Sequence, residues 1–400
     1  MIKVAGRAAV PPFEVMNILD RVAQLRAAGR DVISLCAGEP SGGAPDDVQR
    51  LAAQAHADRL ELGYTSALGL RTLREAVAEH YRAWYGLEVP AEHVAITTGS
   101  SGAFVLAFLA AFDVGDRVAL ARPGYPAYRN ILRALGCEVV EIDCGPADRF
   151  QPTPAALDAL VAHSGPLDGL VLASPANPTG TMVTRAELDA LTRWCAAQGV
   201  RLVSDEIYHG ITYPTDPAAP DGRGVCAWEL DRTAVVVSSF SKYWGMTGWR
   251  LGWALMPADL APAMDALAGN VALCPPAPAQ LAALGAFTPA AYAQAEERVA
   301  DFARTRAVLL GRLDRLGWGP VAPADGAFYL YADLGEQLGH FPDSTAWCAA
   351  LLEETGVAVV PGSDFDGARG HRFVRLSFAA GAPAVAEAIE RILAFQAAHA

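Results

Sequence analysis

Seven short apolar runs recur through the middle of the chain: HVAIT (93–97), RVALA (117–121), EVVEI (138–142), GLVLAS (169–174), VRLVSD (200–205), AVVVSS (234–239) and LGWAL (251–255). Most positions in these runs are apolar, rather than every second one, so each is expected to be a strand buried on both faces. Amphipathic stretches such as RNILRALG (129–136) and TRAELDALTRWCAAQG (184–199) lie between them. The second opens on Thr184 with Glu187 three residues later, a capping-box pattern, and stops at Gly199. Strand–helix alternation of this kind predicts an α/β fold: a mainly parallel sheet covered by helices on both faces, forming a large domain over residues 46–285.

The pattern changes toward the C-terminus. One long helical pattern runs through TPAAYAQAEERVADFARTRAVLLGRLDRLG (288–317), followed by the strand-like GAFYLYADL (326–334), GVAVVPG (356–362) and RFVRLSFA (372–379), and a closing helix. Strands and helices mixed on this shorter scale predict a smaller α+β domain of residues 286–400. Residues 1–45 are expected to pack on it, because the large sheet is complete without them.

Composition narrows the function classes. With 52% hydrophobic and 19% charged residues in 400, the chain can bury a large core. A net charge of −13 argues against a nucleic-acid surface. The most apolar run, FVLAFLAAF (104–112), is too short to cross a bilayer, and the N-terminus lacks the apolar segment of a signal peptide. Cysteines 36, 137, 144, 195, 226, 274 and 348 are scattered and never form CxxC, which fits a reducing compartment better than disulfides or a zinc site. The expectation is a cytoplasmic protein with no metal site, no membrane contact and no nucleic-acid partner.

Ligands of open α/β sheets collect beyond the carboxyl ends of the strands, so the residues there carry the chemistry. After HVAIT, Gly99–Ser100–Ser101 feed directly into a helix, a cup suited to phosphate or, taken alone, a serine cap. It is not a Walker loop, since GxxxxGK[ST] is missing. RVALA leads to Tyr125 on a Pro/Gly loop, an aromatic plate or a core tyrosine; GLVLAS leads to Asn177 in a turn sequence. VRLVS leads to Asp205, Glu206 and Tyr208, where the carboxylate is a ligand or a helix cap. AVVVS leads to Ser239, Ser241, Lys242 and Arg250.

Lys242 stands out because Lys3 is the only other lysine in the sequence. Arginine meets almost every other need for positive charge here, but its guanidinium stays protonated and is a poor nucleophile. A phosphate cup, an aromatic plate, an amide, a carboxylate and a lysine together describe a planar phosphorylated aldehyde with a ring nitrogen, which is pyridoxal 5'-phosphate.

The ordered blocks SLCAGEP, GYTSALGLRTLREAVA, TTGSSGAF, PGYPAY, SPANPTG, SDEIYHG, SFSKYWGMTGWRLGW and RLSFA span residues 34–379. In them the chain resembles the fold-type I pyridoxal-phosphate enzymes, specifically the class I/II aminotransferases. The resemblance implies that Lys242 carries the cofactor covalently and moves the reacting proton. It implies that Asp205 keeps the pyridine nitrogen protonated, and that Asn177 and Tyr208 bond the ring's phenolic oxygen while Tyr125 stacks on its face. Gly99, Ser100, Ser101, Ser239, Ser241 and Arg250 would hold the phosphate, joined by Tyr64 from the other subunit of a homodimer. Arg375 would clamp the substrate α-carboxylate under Gly38.

What the resemblance implies is a ping-pong transfer of the amino group from an L-amino acid to a 2-oxo acid. A β/γ-lyase or cyclising synthase shares nearly all these residues and stays open at this point. A non-catalytic regulator fits poorly, because residues 1–45 contain no helix-turn-helix pattern. Trp244, Trp249 and His209 read as structural. The family's dicarboxylate-specific members supply a cation for the distal carboxylate; here Asn270 aligns with one such arginine, and the helix after the phosphate cup has no basic residue. A donor with a neutral side chain is therefore expected, unless an arginine such as Arg21 or Arg129 reaches the site.

Overall fold

The computed structural model describes residues 2–36, 38–214 and 222–399, so Ala37 of the SLCAGEP block lies outside the described residues. In chain order the strands are β1 (Ile33–Ser34), β2 (Val94–Thr97), β3 (Arg117–Arg122), β4 (Glu138–Asp143), β5 (Gly169–Ala173), β6 (Arg201–Asp205), β7 (Val235–Ser239), β8 (Gly252–Leu255), β9 (Tyr329–Asp333), β10 (Val357–Ala358), β11 (Val360–Pro361) and β12 (Phe373–Ser377). All seven apolar runs enter one sheet, ordered β2-β8-β7-β6-β5-β3-β4. Only β8 runs antiparallel to its neighbours; the remaining pairings are parallel.

Side-chain alternation explains why these strands are apolar throughout. On β3, Val118 and Leu120 join one buried cluster and Ala119 the other; on β7, Val235 and Val237 oppose Val236 in the same way. Helices Gly99–Ala111, Pro126–Leu135 and Ala261–Val271 contribute to one of these layers. The FVLAFLAAF run belongs to the first of them, whose Phe104, Leu106, Ala107 and Phe108 are buried while Leu109 is exposed. Helix Arg185–Gln198 has the expected capping box at Thr184 and Glu187, and Gly199 ends it at a left-handed φ of 69°.

Two expectations need correction. GVAVVPG is not one strand: β10 pairs in parallel with β1, whereas β11 pairs antiparallel with β12 in a sheet ordered β11-β12-β9. The chain turns between two different partners within four residues, which an unbroken apolar run conceals. The long C-terminal helical pattern is also divided, into Pro289–Leu310 and Leu313–Leu316, with the break at Gly311. Glycine is a weak helix former, and no other feature of the pattern marks the interruption.

The N-terminal segment has its own packing. Val22, Leu25 and Val32 cluster with Tyr331, Leu352, Ala358 and Val360, next to the three-stranded sheet. Helix Glu14–Ala27 has no side-chain cap from Phe13. The backbone N–H groups of Glu14 and Val15 lie beside the Asp364 carboxyl and favour its charged form, which sets the helix start against the C-terminal part of the chain.

Candidate active site

Because β8 is antiparallel to both β2 and β7, those two strands point the same way, and the ends of β2, β3, β5, β6 and β7 share one side of the sheet. A cavity of about 400 Å³ opens there. Of the residues singled out from the sequence, Gly38, Ser100, Ser101, Tyr125, Asn177, Asp205, Tyr208, Ser241, Lys242, Arg250 and Arg375 line it. Gly99 and Ser239 stand just behind this lining. A Cβ on Gly99, at φ +68°, would come within 2.6 Å of an Arg250 guanidinium nitrogen, so only glycine lets that guanidinium approach the helix N-terminus. The Ser241 N–H donates to Ser239 Oγ at 3.0 Å. Tyr64 does not line the cavity: it stands 85% exposed on the surface of the single subunit.

Asp205 is buried and Lys242 half-buried, and loss of hydration governs both. It is the largest influence on the Lys242 amine, taking it down from 10.5 to about 8; the Glu39 carboxylate opposes this, while Arg375 and, less strongly, Arg250 assist it. The amine donates to the Gly38 carbonyl. Burial likewise pushes the Asp205 carboxyl up to about 6, against the hydrogen bonds it accepts from the Tyr128 hydroxyl and from the Ile207 N–H at 3.1 Å. Sequence reasoning missed Tyr128. The signal was its place in PGYPAY, three residues after Tyr125 and thus on the same side of helix Pro126–Leu135.

A second missed residue is Tyr329 on β9. Its hydroxyl lies 2.8 Å from the Tyr208 hydroxyl, and the Arg375 guanidinium sits 4.5 Å from the centre of its ring. Arg375 is 4% exposed; it donates to Asn177 Oδ1 at 3.0 Å and to the Cys36 carbonyl at 2.7 Å, while its Nε is buried without a partner. Tyr125 stacks on Phe13, ring centres 6.0 Å apart and 7° from parallel. The N-terminal helix also contributes Val15, Met16 and Leu19 to the cavity, an apolar stretch that no motif marked. His209 stays outside the lining, with Nδ1 2.7 Å from the Tyr85 hydroxyl. Trp244 is buried as core, whereas Trp249 is only partly buried against it.

A profile of the family described as "Aminotransferase class I and II" matches residues 30–392. The chain belongs to this family. The aminotransferase is 53% identical over 390 residues to a valine--pyruvate aminotransferase of Mycobacterium tuberculosis, covering 98% of this chain and 97% of that one. It is 35% identical over 385 residues to an aspartate/prephenate aminotransferase of Thermus thermophilus, covering 96% of each. A crystal structure of an aminotransferase from Mycobacterium tuberculosis superposes with a TM-score of 0.94 at 51% identity, over 100% of both chains. Aspartate aminotransferase from Thermus thermophilus with maleate superposes at 0.88 and 32% identity, over 98% of this chain and 100% of that one.

The family uses pyridoxal 5'-phosphate and transfers amino groups between amino acids and 2-oxo acids; this aminotransferase does the same. The lyase and synthase readings give way to transamination. The side chains present fit the cofactor in kind. Hydroxyls and a guanidinium beside a helix N-terminus suit a phosphate, a buried carboxylate suits a pyridinium nitrogen, and an amine with a depressed pKa suits an aldehyde. Among the described residues no group of histidines, cysteines and carboxylates forms a metal site, and no helix is long and apolar enough to cross a membrane.

Proposed function

We propose that this aminotransferase prefers an amino donor with a neutral, aliphatic side chain and passes its amino group to a small 2-oxo acid such as pyruvate. The observation that carries this reading is the charge of the cavity lining. Its basic residues are Lys242, Arg250 and Arg375, each with another task in this scheme, whereas Val15, Met16, Leu19 and Phe104 are apolar. A distal carboxylate bound there without a cation would cost several kcal/mol. Asn270, on helix Ala261–Val271, bonds back to the Ala266 carbonyl and supplies no charge. Arg21 pairs with Glu353 at 2.6 Å, Arg129 lies near Glu141 and the Asp364 carbonyl, and neither lines the cavity. The name of the Mycobacterium tuberculosis relative, a valine--pyruvate aminotransferase, points the same way.

When bound, the cofactor supplies an electron sink conjugated with the substrate α-carbon. The roles of the chain's own residues follow from their chemistry. Lys242 holds the cofactor and, once released, carries the proton between two carbon atoms; with its pKa near 8 the amine has an accessible neutral form. Asp205 keeps a positive charge on the ring nitrogen, and the Tyr128 hydroxyl holds that carboxylate in its ionised form. Gly99, Ser100, Ser101, Ser239, Ser241 and Arg250 hold the phosphate; Asn177 and Tyr208 face the ring oxygen and Tyr125 its plane. Arg375 binds the substrate α-carboxylate beneath Gly38, and its unpartnered Nε is the donor most in need of an acceptor.

In the same reading, residues 46–285 form the cofactor domain, and residues 1–45 with 286–400 form a smaller domain carrying Arg375. The working unit is a cytoplasmic homodimer. Its support is Tyr64, which the family resemblance makes a phosphate ligand of the other subunit and which stands exposed here, together with an apolar groove lined by Ala67, Val271 and Cys274 that shares Ser101 with the cavity. A direct test incubates the holoenzyme with valine and pyruvate and identifies products by mass spectrometry. Alanine and the 2-oxo acid of valine in equal amounts support the proposal; free ammonia in place of alanine contradicts it.

A further inference from the structure

Beside the cavity, but outside its lining, lies a buried polar cluster that the transfer chemistry leaves unused. Glu206 is 1% exposed and His209 6% exposed. Glu206 Oε1 accepts from Ser204 Oγ at 3.0 Å and from the Ala227 N–H at 2.8 Å. Its other oxygen is buried without a hydrogen-bond partner, and His209 Nδ1, 3.6 Å away, is already engaged by the Tyr85 hydroxyl. The groups facing this carboxyl are Ser204, the Cys226 thiol, Glu229, Tyr81, Tyr85 and His209, none of them a fixed cation. Burial raises the carboxyl to about 8 and lowers the imidazole to about 3, so both move toward their neutral forms.

The connections matter more than the titration. Glu206 sits between Asp205 and Tyr208, on the turn that leaves β6. Its backbone N–H donates to Val237 on β7 at 2.8 Å, and its own carbonyl accepts from the His209 N–H at 3.0 Å. Its side chain reaches back to Ser204 and out to Ala227, at the start of the segment Ala227–Glu229. Through His209 the same turn meets Tyr85 at the end of helix Arg71–Tyr85. One carboxyl group thus fastens the turn to a strand and to a distant loop.

We propose that Glu206 is a positioning residue: its Oε1 anchors the Asp205–Tyr208 turn to Ser204 and Ala227, and so fixes the two side chains that face the cofactor. The inference rests on the roles proposed above for Asp205 and Tyr208. One buried oxygen that accepts from two donors on different elements ties the turn to both.

The test compares holoenzymes of Glu206→Leu and Glu206→Gln with the parent, measuring kcat, KM, thermal midpoint and the pH titration of the visible cofactor band. Glu206→Leu removes both acceptor bonds. It is expected to lower kcat by about tenfold or more, to change donor KM by less than about threefold, and to move the band's titration by about half a pH unit or more. Glu206→Gln keeps a neutral acceptor in the same place, and is expected to restore most of kcat and the parental titration. A folded Glu206→Leu with parental kcat and titration would overturn the proposal, as would Glu206→Gln impaired as deeply as Glu206→Leu. If Glu206→Leu does not fold, the titration of Glu206→Gln decides alone: unchanged supports, displaced contradicts. Asp205→Ala, run in parallel, separates the two readings, since full activity there would remove the role of Asp205 whatever Glu206 does.

Discussion

Lys242 and Asp205 are two opposite charges held in one buried cavity, and each is pushed toward neutrality by the burial that brings them together. The amine has no substitute, because the other lysine, Lys3, belongs to the exposed N-terminus. Lys242→Ala is therefore expected to abolish transamination and the visible band of attached cofactor, with a thermal midpoint near that of the parent apoprotein; turnover at the parental rate would refute its role. Tyr128 offers a finer test. Its hydroxyl stabilises ionised Asp205, so Tyr128→Phe raises the pKa of that carboxyl. The acid limb of kcat/KM is then expected to move upward by about half a unit or more, with the loss largest at low pH. An unmoved limb would show that the hydrogen bond has no electrostatic effect on the site. Nothing local in PGYPAY marks Tyr128 for this role, because its partner lies 77 residues further along the chain.

At the scale of elements, the large sheet was legible and the cavity wall was not. Every strand of the large sheet lies in an apolar run long enough to read, and five of them lead into groups that meet in the cavity. The division of GVAVVPG depends on pairing partners that come from opposite ends of the chain, so no local pattern announces it. The same holds for helix Glu14–Ala27: its amphipathic pattern shows that it packs, but not that Val15, Met16 and Leu19 face the catalytic cavity. That wall offers a test of donor selection. Leu19→Arg places a cation where the apolar side chain was and is expected to raise the aspartate-to-valine ratio of kcat/KM by about tenfold or more. A ratio that does not change would mean that the donor side chain lies elsewhere.

For the whole molecule, the prediction concerns assembly. Tyr64 stands exposed outside the lining of its own subunit's cavity, and an apolar groove beside Ser101 is open to a second copy. Light scattering at assay concentration is expected to give the mass of a dimer, and Tyr64→Phe is expected to weaken cofactor retention by several-fold without dissociating it. An active monomer would contradict this. Sequence blocks made the family legible from residues 34–379, but none of them marks the donor's side chain. Its selection depends on what the lining lacks, a cation beyond Lys242, Arg250 and Arg375. The measurement that tests the account most directly is kcat/KM for valine, alanine, leucine, phenylalanine and aspartate with pyruvate as common acceptor. The account predicts that a neutral aliphatic donor exceeds aspartate by about 100-fold or more; aspartate matching or surpassing valine would contradict it.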